Sequence, residues 1–79
     1  MINNIKLVFE AMNHRTLYAR KFESTREMYR NMNFATLQTL FALDVINQFE
    51  YDKLYQKISA LEYLTVTDLH EIEVTAYEN

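Results

Sequence analysis

Glycine, proline and cysteine are all absent from these 79 residues. At average usage about nine glycines and prolines together would be expected. Without glycine no position adopts φ > 0 freely, and no loop lets its backbone close on a phosphate; without proline no tight turn is preset. Phosphate-cradling loops, glycine-dependent hairpins and most catalytic loops are thereby excluded, and helices interrupted by asparagine remain. The lack of cysteine rules out disulfide staples and gives no sign of an oxidising compartment. Only His14 and His70 could join carboxylates around a metal. No run approaches the roughly 18 consecutive apolar residues that cross a bilayer. The first twelve residues contain Lys6 and Glu10 and no small-residue cleavage site, unlike a signal peptide. A cytoplasmic chain without membrane contact is the expectation.

What is present makes one small domain, residues 1–79. A chain of this size buries only about 60–65% of the surface its unfolded form exposes, so its stability is marginal without help. Self-association as a homodimer, or a partner, is the remaining aid, and a hydrophobic content of 49% suits either. The net charge of −3 conceals a split. Residues 15–30 hold five basic side chains against Glu23 and Glu27, a balance of +3; from Asp44 onward eight acids face Lys53 and Lys57, a balance of −6. Such asymmetry marks either a charged partner or two patches that neutralise each other within the domain.

Seven asparagines stand in for the missing breakers, with Asn13, Asn31/Asn33 and Asn47 falling where the apolar period falters. Ile2, Ile5, Val8, Phe9 and Met12 form one helical stripe ahead of the first of these. Leu17, Tyr18, Phe22, Met28, Tyr29 and Met32 continue nearer to period 3.6 than to 2. Ser24-Thr25-Arg26-Glu27 fits a capping box, which predicts a helix restart near residue 24. Between residues 34 and 46, Phe34, Leu37 and Phe41 make one stripe and Leu40, Leu43 and Ile46 another, as in a helix central to a core. Asn47 then offers a cap with Glu50 three residues on, ahead of Tyr51, Leu54, Tyr55, Ile58 and Leu61 at helical spacing. The expected architecture is therefore all-α, a bundle of three to five helices around a central αα-hairpin of about 34–46 and 48–62. The tail, 63–79, reads as a helix capped by Thr67 with Leu69, Ile72 and Ala76 inward, in preference to a β-hairpin whose turn, Asp68 to Glu71, would be poor.

Catalytic parts are missing. There is no cysteine, no serine at a nucleophile elbow and no glycine to admit a substrate, so no catalytic residue, cofactor or metal is assigned. Asp68, His70 and Glu71 are close in sequence, as charged residues on solvated surfaces often are. A helix-turn-helix outline over 34–62 places Glu50 and Asp52 where a reading helix would meet phosphate, which opposes DNA recognition. The residue types that favour contact with another protein gather instead between Met12 and Met32: Arg15, Tyr18, Arg20, Phe22, Arg26, Tyr29 and Arg30, with Met28 between them. The alternative is that Phe22, Met28 and Met32 are core and the arginines its solvated rim.

The run Leu40 to Leu54 resembles the short helical hairpins of the SHOCT type, in which a leucine-rich helix is followed by a small turn residue, an Ile, a hydroxyl cap and Glu with an aromatic. Ile46, Glu50 and Tyr51 match, Asn47 replaces the hydroxyl, and the glycine position falls on Asp44 or Val45. The resemblance covers about a quarter of the chain and implies an association module. The composition is similar to that of small accessory proteins of phages and mobile elements in low-GC bacteria. Together these features predict a small regulatory or inhibitory protein that docks on a partner protein through Arg15, Tyr18, Arg20, Phe22, Arg26, Tyr29 and Arg30. Two alternatives are a nucleic-acid-binding regulator using the same stretch, and a nucleic-acid mimic presenting Asp68, Glu71, Glu73 and Glu78.

Overall fold

The computed structural model describes the backbone of residues 4–78 and the side chains of residues 4–72. Helix α1 spans Ile5–Lys21, α2 Arg26–Ala42, α3 Gln48–Ser59 and α4 Val66–Glu78, with no strand among the described residues. The all-α bundle and the helical tail are therefore as expected, and no described helix is long and apolar enough to cross a membrane. The helices alternate in direction. Phe34 stacks on Tyr55 and Phe41 packs on Tyr51, which sets α2 antiparallel to α3. Lys57 bonds Asp68 and Lys53 bonds Glu71, which sets α4 antiparallel to α3 across the core from α2.

Of the three asparagine positions only Asn47 ends or starts a helix. It caps α3 with both bonds of a capping box: Glu50 N donates to its Oδ1 at 2.8 Å and Asn47 N donates to Glu50 Oε1 at 2.8 Å. Asn13 and Asn33 instead lie inside α1 and α2, which run through them unbroken. Their amides tie helices together. Asn13 Nδ2 donates to Leu64 O at 2.9 Å and its Oδ1 accepts from Leu64 N at 2.8 Å. Asn33, buried, donates to Met12 O at 3.0 Å and Thr16 Oγ1 at 3.2 Å. A tertiary partner for the amide removes its competition with the helix backbone. The restart after α1 occurs two residues later than expected, through a 3-10 turn at Glu23–Thr25, and no side-chain cap bond forms there. Thr65, rather than Thr67, caps α4: its Oγ1 accepts from Asp68 N at 3.2 Å while Asp68 Oδ2 accepts from Thr65 N at 2.8 Å.

Helices α2 and α3 close without glycine. Val45 N donates to Leu40 O and Asp44 N to Phe41 O after α2; Glu62 N donates to Lys57 O and Leu61 N to Ile58 O after α3. Both are Schellman motifs, with Asp44 at φ 58° and Leu61 at φ 57° where glycine is usual. The left-handed conformation costs about 1–2 kcal/mol at each non-glycine site, which tertiary packing offsets.

Ile5, Phe9 and Met12 of α1 meet Leu37 and Leu40 of α2, Ile46 in the α2–α3 connection, Leu54 and Ile58 of α3, Leu64, and Ile72 of α4 in one core. The expectation for α2 needs correction. Leu37 and Leu40 are buried, but Phe41 and Leu43 are 38% and 65% exposed. α2 is flanked by α1 and α3, and among the described residues nothing covers its outer side, so each stripe is split: Leu37, Leu40 and Ile46 turn inward while Phe41 and Leu43 stay at the surface.

Candidate protein-binding site at the hairpin tip

The tip of the α1–α2 hairpin is the basic stretch found in the sequence, and no residue from 20 to 32 is buried. α3 is about 7.5 Å shorter than α2 at 1.5 Å per residue, and so ends short of the tip. Three aromatic rings hold this overhang together. Tyr18 lies 6.2 Å from Phe22 with the rings 15° from parallel, and 5.6 Å from Tyr29. Offset pairs of this kind contribute about 0.5–1.5 kcal/mol beyond the area they bury. Lys21 Nζ sits 5.4 Å over the Phe22 ring, a contact that the adjacency of the two residues could have signalled.

The arginines serve mainly this chain. Arg26 Nε donates to Ala19 O at 2.8 Å, satisfying a carbonyl at the open end of α1. Arg15 Nη1 bonds Thr36 Oγ1 at 2.7 Å and braces α1 on α2. Arg20 Nη1 reaches Leu61 O at 3.0 Å while its guanidinium lies 5.4 Å from the centre of the Tyr63 ring. Arg30 pairs with Glu27 one turn back. The core-and-rim alternative for this stretch does not hold. Met12 is core, whereas Phe22, Met28 and Met32 are 45%, 51% and 41% exposed and belong to no core. The arginines are not a loose solvated rim, because backbone carbonyls and a hydroxyl fix Arg15, Arg20 and Arg26 and the Glu27 carboxylate holds Arg30.

Of the acidic alternative, Asp68 does not join an exposed face. Asp68 is buried, 2.5 Å from Lys57 Nζ and 3.4 Å from Lys53 Nζ, and also accepts from the Thr65 hydroxyl. Burial pushes its carboxyl up, but Lys57 and the Thr65 amide and hydroxyl outweigh this and hold it below the ordinary 3.8. Glu71 is exposed and paired with Lys53 at 2.9 Å, which raises the Lys53 ammonium above its ordinary value. The side chains of Glu73 and Glu78 lie outside the described residues. Among the described residues no group of three His, Cys, Asp or Glu side chains is placed to hold a metal, and His70 stands exposed beside the inward-turned Asp68. A groove of about 140 Å³ between α1 and the start of α4 is lined by Phe9, Leu64, Val66 and Leu69 with Lys6 and Glu10, and contains no nucleophile–base pair. Against protein-family models, curated proteins and solved structures, the chain gives no match.

Proposed function

We propose that this chain is a non-catalytic regulatory or inhibitory module that binds another protein through the hairpin tip. One observation carries the reading: Tyr18, Phe22 and Tyr29 form a joined aromatic surface with no layer over it among the described residues, set on an arginine-braced scaffold. A braced surface of large rings loses little entropy on docking. The balance of +3 over residues 15–30 favours a partner whose contact surface is acidic around an apolar socket. Nucleic acid is less well served, since Arg15, Arg20 and Arg26 already spend donors on this chain's own oxygens.

The test is affinity capture from cells of the native host, with and without nuclease, using the intact chain and Phe22→Asp. A protein retained near stoichiometrically in both nuclease arms and lost with Phe22→Asp, at a thermal melt lowered by no more than about 10 °C, is the expected result. Recovery that nuclease abolishes, or capture indifferent to Phe22→Asp, overturns the reading. Substituting Arg20 or Arg26 is a poorer probe, because both hold the fold.

A further inference from the structure

Glu50 closes the capping box of α3 from a buried position, where an unpaired glutamate is rarely found. Its Oε1 accepts from Asn47 N, but Oε2 is shielded from solvent and has no hydrogen-bond partner among the described residues. A buried carboxylate oxygen without a donor is costly, and native structures seldom leave one so. Asp68 repeats the pattern. Its Oδ2 collects Lys57 Nζ at 2.5 Å and the amide and hydroxyl of Thr65, whereas Oδ1 has Lys53 Nζ at 3.4 Å, beyond the roughly 2.7–3.2 Å of a normal bond. Both carboxylates border one cavity of about 10 Å³, walled by Glu50, Lys53 and Leu54 of α3 and Asp68, Glu71 and Ile72 of α4. Ionised carboxylates only accept, so neither can satisfy the other. Lys53 is the single side-chain donor in that wall. Its ammonium bonds Glu71 at 2.9 Å and forms no ion pair with Glu50.

We infer that this cavity is a binding site for one water molecule, which donates to Glu50 Oε2 and Asp68 Oδ1 and accepts from Lys53 Nζ. The volume is about the least that admits a water, and about three polar partners is the usual complement of a buried one. Water brings two donors and an acceptor, the set that these groups lack. A cation is the wrong occupant, because the Lys53 ammonium stands in the wall and no three described carboxylates are placed as ligands. An anion would meet the carboxylates of Glu50, Asp68 and Glu71. Through this water the glutamate that closes the start of α3 also holds α4: Oε1 serves the cap and Oε2 the docked helix. No residue of the hairpin tip takes part, so the inference stands apart from the proposed partner site.

A crystal structure of the full chain, refined with its waters, reads the site directly. One water about 2.5–3.0 Å from Glu50 Oε2, also within reach of Lys53 Nζ and Asp68 Oδ1, is expected. A protein donor bonded straight to Oε2, a metal ion in the cavity, or no density there overturns the inference. Its consequence for α4 is read in solution by native-state hydrogen exchange on Glu50→Ala and Asn47→Ala. Both variants break the capping box, but only the first removes Oε2. Exchange of the α4 amides should be about two- to tenfold faster in Glu50→Ala than in Asn47→Ala, the effect of one lost hydrogen-bonded link. Equal exchange of α4 in the two variants overturns the link between the water and α4.

Discussion

The two ends of the α1–α2 hairpin are built on different physics. At the open end, Ile5, Phe9 and Met12 of α1 and Leu37 and Leu40 of α2 are buried beneath α3 and α4. At the tip nothing is buried from residue 20 to 32, and order comes from ring stacking and from Arg26 bonding the end of α1. The body is stable because apolar area leaves water, whereas the tip is held by ring stacking and by arginine bonds to neighbouring oxygens. Removing a side chain from the first opens a cavity; removing one from the second leaves solvent where solvent already was.

This contrast is open to direct challenge. The largest effect is expected in the body, where Leu54→Ala should lower unfolding free energy by about 2–5 kcal/mol in urea melts. That is a large fraction of the roughly 4–12 kcal/mol a domain of this size possesses. An intermediate loss, about 1–3 kcal/mol at neutral pH, is expected for Asp68→Asn, which removes a buried charge-assisted network. Its pH dependence has a definite sign. The folded carboxyl is held below its unfolded value, so its contribution is complete above about pH 4 and fades as pH falls through the depressed folded value. Melts at pH 7 and pH 3 should therefore show the gap between parent and variant narrowing in acid; a gap that does not change with pH would assign the loss to packing. The smallest effects belong to the tip, where Phe22→Ala and Tyr29→Ala each remove one ring pair and should shift stability by about 0.5–1.5 kcal/mol. A body-sized loss from either would erase the distinction between the two ends.

Much of the fold was legible along the chain. The stripe Ile5, Phe9, Met12 is the buried face of α1, and Asn47 with Glu50 caps α3 through the bonds that their spacing implies. The tail is helical, with Ile72 buried and Leu69 half-buried. Asn13 and Asn33 misled because an asparagine breaks a helix only when its amide lacks a better partner. Those partners, Leu64 and Met12, stand 51 and 21 residues away and leave no local signal. The basic stretch was visible as a cluster of interface-type residues. The occupation of Arg15, Arg20 and Arg26 by Thr36, Leu61 and Ala19 was not, since it depends on which ends the bundle brings together. Asp68 illustrates the same limit: beside His70 and Glu71 it looked exposed, and the packing of α4 on Lys57 turned it inward.

The sequence by itself determined that the domain would be helical, where α3 begins, and that no glycine loop or cysteine would serve chemistry, because these follow from local geometry and residue type. Tertiary structure decided which apolar arc is covered. Periodicity marks the hydrophobic sides of a helix, but only the number and placement of its neighbours determine which side leaves water. On α2 that choice buried Leu37 and Leu40 and left Phe41 and Leu43 outside.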